Sequence, residues 1–293
     1  MSEPLVSIVM RSYNEAWALK ETLPALAAQD FGPWELIVID SGSTDGSVDL
    51  IRSANPAHFV QIQSSEYNPS RVMNQGVRLA RADTILFLNA DATPQGTGWM
   101  KPLYDALQSP RTAAVFSRQV PRPDCHAVFA HDYDRCFGEN RESAHWDHFF
   151  SMVSSGIRRD VWNQRGFRED LQYAEDDEYT RWCRAAGYEV TYVPDSVAMH
   201  SHNYTVAQAY QRAYGDARAM AATYEGDRSD FRWWKSVLTG WAADVWRDVR
   251  WFRNQHSLGE LPEAVLVRLA QRRGRYRGFH EGWKNYQREE AKS

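Results

Sequence analysis

The chain reads as an α/β protein whose first hundred residues build a parallel half-sheet. Two observations predict this. Apolar runs of strand length recur, each followed by a polar turn and an amphipathic stretch, and two of them, Glu35–Asp40 and Thr84–Leu88, run into a carboxylate at or just past their ends. Strand, turn, helix, strand is the pattern of a parallel sheet covered by helices.

Leu5–Met10 is a buried strand, followed by the polar turn Arg11-Ser12-Tyr13-Asn14-Glu15 and a helix with Leu19, Leu23, Leu26 and Ala27 on one face. Glu35–Asp40 is the second strand, ending in the turn Ser41–Gly46 and a helix through Val48 to Ile51. Phe59–Gln63 gives a third strand, Ser70–Arg81 an amphipathic helix and Thr84–Leu88 a fourth strand. Further on, Ala114–Ser117 reads as a strand, and Asp124–Phe150, rich in His, Arg and aromatics, as a binding loop. Glu175–Ala186 is a helix stopped by Gly187, and Glu189–Pro194 returns as a strand. From Val206 the pattern is helical, with breaks near Gly226-Asp227, Gly240 and Gly259 to Pro262. A catalytic domain over 1–205 and a helical region over 206–293 are the expected division.

The chain has 293 residues, enough for one large core with an appendage. A formal net charge of −4 gives no broad electrostatic footprint for nucleic acid, so no such partner is expected. Cys125, Cys136 and Cys183 show no CxxC pairing, which argues against a disulfide framework or a zinc site and suits a reducing cytoplasm. The start Met1-Ser2-Glu3-Pro4 lacks the features of a signal peptide, and no run reaches the roughly 18 apolar residues of a spanning helix.

Asp91 follows the fourth strand and so falls at the carboxyl edge of the sheet, where open α/β folds bind ligands. A second acidic knot, Glu175-Asp176-Asp177-Glu178, lies about 85 residues on. One acid for a cation and one for a proton suit transfer chemistry on a phosphorylated donor. The plainer alternatives are a capping turn for Asp91 and, for the knot, a first turn that complements the helix dipole.

Several segments, in this order, resemble the family-two glycosyltransferases: Ser7-Ile8-Val9 with Tyr13-Asn14-Glu15, Val38 to Gly46, Asn74-Gln75-Gly76, Asn89-Ala90-Asp91, and Glu175-Asp176. The likeness covers about residues 5–205. It implies a GT-A fold, in which a Rossmann-like nucleotide-binding half and an acceptor half share a mixed central sheet, here with a C-terminal helical extension. The stretches Asp40–Ser43, Asn68–Asn74 and His200–Thr205 look most like rhamnosyltransferase-type members.

The resemblance implies the following roles. Asp91 matches the last acid of the family's DxD motif and would bind Mn²⁺ or Mg²⁺ bridging the donor diphosphate, with oxygen ligands suited to a hard cation. Asn89 stands where the first Asp of that motif is usual, so one charge is missing. Arg11, Tyr13, Asn14, Glu15, Asn74 and Ala90 would line the nucleotide sugar. Asp40 would sit near the base or ribose, with Ser41 in place of the second Asp of many uridine-nucleotide users; in rhamnosyl-like members such a Ser accompanies dTDP-sugars. Arg71 would pair with a phosphate, or else is a solvated helix-opening Arg. Asp176, with Glu175 beside it, would be the general base. His200 would complete the metal site, with His202 as its competitor. Ser155, Gly156 and Trp162 would line the acceptor pocket, or else form a packed strand and turn.

Six of the 12 tryptophans fall at or after Trp233, among Arg232, Lys235, Arg247, Arg250 and Arg253. Such a tail suits peripheral contact with a membrane carrying a lipid-linked acceptor, or packing against the catalytic domain or a second protomer; Asp244 and Asp248 temper its basic face. The expectation is a cytoplasmic, metal-dependent inverting enzyme moving a sugar, with dTDP-rhamnose as favoured donor, to a glycan or lipid-linked glycan. The rivals are a UDP- or GDP-sugar donor, and a non-catalytic sugar- or nucleotide-binding protein of the same fold, for which Asn89 is the one hint. A nucleotidyltransferase would need a glycine-rich phosphate loop after the first strand, and a dehydrogenase a GxGxxG, and neither is present.

Overall fold

The computed structural model describes residues 3–146, 148–221 and 231–290. These fall into two compact units, one within Met1–Val120 and Cys136–His200, the other within Pro121–Arg135 and Ser201–Ser293.

The first unit is built on an eight-stranded mixed sheet. Strand β1 (Val6–Ser12) leads to α1 (Ala16–Ala27), β2 (Trp34–Asp40), α2 (Ser47–Ser53), β3 (His58–Gln61), α3 (Pro69–Leu79) and β4 (Thr84–Asn89). There follow β5 (Thr93–Pro94), α4 (Met100–Leu107), β6 (Thr112–Val120), α5 (Ala127–Phe137), β7 (Ser154–Arg158), α6 (Arg159–Trp162), α7 (Glu175–Ala185) and β8 (Glu189–Met199). The strand order is β3-β2-β1-β4-β7-β6-β8-β5. β1, β2, β3 and β4 are mutually parallel, as the apolar runs predict, and β7 pairs antiparallel with both β4 and β6.

The continuous apolar character of β1, β2 and β4 follows from burial on both faces. One face packs Ile8, Met10, Leu86 and Leu88 with Leu19, Leu26 and Leu103; the other packs Val9, Ile37, Ile85 and Phe87 with Met73, Val77, Tyr179 and Cys183. Trp99, fully buried, donates from Nε1 to Ser154 Oγ (2.9 Å) and so ties α4 to the start of β7. Gly76 lets α3 lie on β1, since a Cβ there would come within 2.2 Å of Val9 Cγ1.

Strand β8 runs five residues past the expected Pro194, because the pairing with β6 shifts register between Ser117–Val193 and Arg118–Val197 and so passes over the proline. The expected binding loop over Asp124–Phe150 is corrected: Ala127–Phe137 is the helix α5. Its Ala127, Val128 and Phe129 pack with Ala209, Phe252, Ala264 and Val267, which places most of this helix in the second unit.

The second unit contains α8 (Val206–Met220), a π-helical turn (Trp234–Thr239), α9 (Gly240–Gln255) and α10 (Leu261–Glu290). Thr205 caps α8 in a reciprocal box with Gln208. Gly240 does not break the helix as expected; it closes the π-turn, and it is small because the Arg272 guanidinium lies where its Cβ would be, 2.7 Å away. The Gly259–Pro262 break is real, and Pro262 falls in the first turn of α10, where a missing N–H costs nothing. The expected break at Gly226-Asp227 lies outside the described residues.

α10 carries Gly274, Gly278 and Gly282, one residue per turn on the same side, and this stripe receives the backbone of α8. A Cβ at these positions would meet Tyr210 O at 2.4 Å, Tyr214 O at 2.1 Å and Arg218 O at 2.2 Å. Gly278→Leu is therefore expected to force the two helices apart and lower the denaturant midpoint of the helical unit, at a cost of roughly 1–3 kcal/mol or more in stability. Gly259→Ala, with nothing within 4 Å of its Cβ, should leave that midpoint unchanged.

Candidate active site

Parallel pairing puts the carboxyl ends of β1, β2 and β4 side by side, with Arg11 opposite both Ile39 and Asn89 and Ser12 opposite Asp40. The loops that leave this edge are stitched by their own side chains. Asn14, at φ 55°, accepts from Thr44 N through Oδ1 (2.8 Å) and donates its N–H to Ser43 Oγ (2.8 Å), and Glu15 N donates to Ser47 Oγ (2.9 Å). Asp40 is fully buried and accepts from Gly42 N (3.0 Å), Ser43 N (2.8 Å) and Gln61 Nε2 (3.1 Å), with Ser43 Oγ on its other oxygen. It therefore shapes the Ser41–Ser43 turn, with Ser41 itself buried. Tyr13, 51 % exposed, stands out over this edge.

Arg11 ties the edge to the acidic knot. Its Nη2 and Nε reach Asn89 Oδ1 at 3.0 and 3.3 Å, its Nη1 donates to Tyr67 Oη at 3.4 Å, and Nη1 lies 3.6 Å from Glu175 Oε1. Burial presses the guanidinium toward neutrality, but Tyr67, Glu175, Asp176 and Asp91 outweigh it and hold Arg11 above its ordinary value. The cation thus stays charged among these groups. It also explains Asn89: the amide oxygen that replaces a carboxylate is an acceptor for Arg11.

Just beyond β4, Asp91 is buried, with Oδ2 3.4 Å from His200 Nε2 at the end of β8. Ala90, also buried, serves through its backbone, donating N–H to Arg11 O (3.1 Å). Of the two histidines weighed from the sequence, His200 lies in the first unit with Asp91, and His202 lies in the second, which resumes at Ser201. A carboxylate oxygen and an imidazole nitrogen at this separation suit neighbouring positions on one divalent cation with bonds of roughly 2.1–2.4 Å.

The acids of α7 divide their tasks. Ala174 turns the chain through a left-handed conformation (φ 59°) into the helix. Glu175 faces Arg11. Asp177 pairs with Arg181 (2.7 Å) and His148 (3.1 Å), and Glu178 with Arg165. Among the described residues, Asp176 alone of the four has no ion pair within 4 Å; it accepts from Asp177 N (2.8 Å) and Met152 N (3.4 Å). Burial pushes its carboxyl above the usual range, with Asp177 adding to the push, while the N–H of Asp177, Arg11 and the N–H of Met152 pull the other way. A half-buried carboxylate with a raised pKa fits a general base.

His148 is a site residue that the sequence did not single out. Its buried ring reaches Asp177 Oδ1 and Thr180 Oγ1 (3.0 Å), and burial drives its pKa down to about 4, with Arg181 and Arg184 adding to the shift and Asp177 opposing it. It is neutral at pH 7 and lies against Asp177.

Four expected binding residues belong to the scaffold instead. Asn74 is buried with its amide saturated: Nδ2 donates to Phe167 O (2.8 Å) and Glu169 Oε1 (3.0 Å), and Oδ1 accepts from Phe167 N and Trp162 Nε1 (3.0 Å each). Asn74 and Trp162 therefore clamp the 162–169 loop. Ser155 and Gly156 lie inside β7; Ser155 Oγ donates to Met152 O (3.1 Å), and a Cβ on Gly156 would come 2.6 Å from Leu86 Cδ2. They pack the sheet. Arg71, largely exposed, leans on Glu169 at 3.6 Å.

Residues 7–166 match the family described as Glycosyl transferase family 2, more than half of the chain. The chain belongs to this family and is a glycosyltransferase. It is 30 % identical over 237 residues to the O-antigen chain rhamnosyltransferase RfbN of Salmonella typhimurium, covering 77 % of this chain and 75 % of the relative. It is 28 % identical over 240 residues to the O-antigen chain rhamnosyltransferase WbaN of Salmonella anatum, covering 78 % and 76 %. Among solved structures it resembles the mannosyltransferase PcManGT from Pyrobaculum calidifontis, captured with GDP-Man and Mn²⁺, at a TM-score of 0.64 and 20 % identity over 96 % of this chain and 88 % of that one. TarS of S. aureus, residues 1–349, gives a TM-score of 0.54 at 17 % identity over 97 % and 91 %. The fold of this glycosyltransferase is GT-A.

Because Asn74 is a clamp, Asn74→Ala should destabilise the protein by about 1–3 kcal/mol, leaving buried partners unpaired, yet keep the wild-type nucleotide affinity. Chemical denaturation and calorimetric titration of the same variant check both halves.

Proposed function

We propose that this glycosyltransferase is an inverting rhamnosyltransferase that moves L-rhamnose from a nucleotide-activated donor, with dTDP-rhamnose favoured, to a glycan or lipid-linked glycan acceptor. The observation that carries the mechanistic reading is the Arg11 contact with Asn89 on one side and Glu175 on the other, which brings the donor edge and the turn bearing Asp176 to one cation. The rhamnosyl assignment is supported by RfbN and WbaN and by Ser41 in the turn after Asp40.

In this reading Asp91 and His200 hold a divalent cation, Mn²⁺ or Mg²⁺; such an ion, when bound, offsets negative charge on the donor diphosphate. Arg11 adds a fixed positive charge at the same edge. Asp176 accepts the proton of the acceptor hydroxyl as its oxygen forms the new bond to the anomeric carbon. The bond from that carbon to the diphosphate oxygen breaks on the opposite face, and a nucleoside diphosphate leaves. A single displacement inverts the anomeric centre. Donors on UDP or GDP fit the same chemistry and differ at the Asp40–Ser43 turn. Against the non-catalytic alternative stands the retention of both Asp91 and Asp176.

The test is transfer from dTDP-rhamnose, UDP-glucose and GDP-mannose to rhamnose-accepting glycans, with product configuration read by NMR. Turnover is expected with dTDP-rhamnose; turnover with another donor alone would overturn the sugar assignment. Asp176→Asn should lower kcat by about 10²–10⁴-fold while binding nucleotide as the wild type does. A base works when deprotonated, so kcat/KM should rise with pH through a value above the usual aspartate pKa of about 3.9; a flat profile across that range would exclude Asp176 as the base.

A further inference from the structure

We propose that the outward side of the π-turn and α9 is a docking surface for an anionic lipid membrane. Trp233, Trp234, Leu238 and Trp246 are 51, 56, 45 and 59 % exposed, whereas tryptophan is on average one of the more buried residues. Indoles with cationic neighbours and no apolar core to fill suit the boundary between water and lipid.

The charge pattern chooses the partner. Residues 231–255 contain two acids, Asp244 and Asp248, and from sequence alone they temper the basic face. The structure turns both inward. Asp244 is buried and binds Arg272 through two contacts (2.5 and 2.8 Å) as well as Arg247. Asp248, with 1 % exposure, binds Arg268 through two contacts (2.8 and 2.9 Å) and His131 Nδ1 at 2.6 Å. The exposed residues of α9 carry no acid and include Trp246, Arg250 and Arg253, spaced four and three residues apart. The Arg250 guanidinium lies 4.6 Å from the Trp246 ring centre, a cation–π pair that keeps charge and indole together at the surface.

A second copy of this chain is a poorer occupant. A two-fold contact through this face would bring two basic faces together. Phosphate-bearing lipid satisfies both the indoles and the guanidinium groups. No helix among the described residues is long and apolar enough to cross a membrane, so the contact is one of lying on the surface.

The experiment is flotation of the full chain with vesicles of phosphatidylcholine alone or mixed with phosphatidylglycerol. Binding is expected to the mixed vesicles and not to the neutral ones, and to weaken as salt is raised. Each cation removed should cost about fivefold in affinity, so Arg250→Gln with Arg253→Gln should lose roughly 25-fold, and Trp234→Ser with Trp246→Ser should abolish flotation. These side chains are exposed, so circular dichroism and thermal midpoint should stay at wild-type values, and metal-dependent nucleotide binding should be unaltered, which separates this test from that of the catalytic reading. Failure to float with anionic vesicles, equal flotation with neutral ones, or flotation unaffected by the variants would each overturn the proposal. So would a wild-type dimer, seen by sedimentation, that Trp246→Ser dissolves.

Discussion

The acidic edge of the first unit gathers around one half-buried cation, Arg11. Arg11 sits at the end of β1, beside the strand that leads to Asp91 and close to the turn that carries Glu175 and Asp176. Two carboxylates about 4 Å apart repel by about 4 kcal/mol at an effective dielectric constant of about 20. A site that gathers several of them off a sheet edge needs a fixed counter-charge, and Arg11 supplies it without relying on bound ligand. The neutral Asn89 belongs to the same arrangement, because its amide oxygen orients the guanidinium while adding no further negative charge.

Around that cation the acids are separated by their partners. His148 and Arg181 take Asp177, Arg165 takes Glu178, and Arg11 takes Glu175, so Asp176 is the member left to backbone donors. Desolvation then raises its proton affinity against the pull of the N–H groups of Asp177 and Met152 and of Arg11. Within the second unit, buried ion pairs do a different job: Arg268 and Arg272 on α10 reach the acids of α9, and the glycine stripe sets how closely α8 approaches.

The legible parts of the sequence were those written in local pattern. Strands β1, β2 and β4 show as apolar runs because both faces are buried, and α7 shows through its acidic first turn and Gly187 stop. Asp91, Asp176 and His200 could be picked out because each lies at an element's end. What stayed hidden depends on partners far along the chain. Asn74 looks like a binding residue until Phe167 and Trp162 saturate its amide. Interleaved His, Asp and aromatic residues disguised α5 as a loop, since its charged positions meet buried partners such as Asp248 and Arg268. The repeat of glycine at 274, 278 and 282 has meaning once α8 is seen to lie in it. Asp244 and Asp248 changed the reading of the tail because sequence gives their charge but not their direction.

The central claim is that Asp91 and His200 together hold a divalent ion on which donor binding depends. Calorimetric titration of dTDP, UDP and GDP into the wild type, Asp91→Ala and His200→Ala, each with and without Mn²⁺, tests it most directly. The account predicts nucleotide binding that needs Mn²⁺ in the wild type, is lost in Asp91→Ala and is weakened in His200→Ala. Nucleotide binding that is indifferent to Mn²⁺ and unchanged in both variants would contradict it.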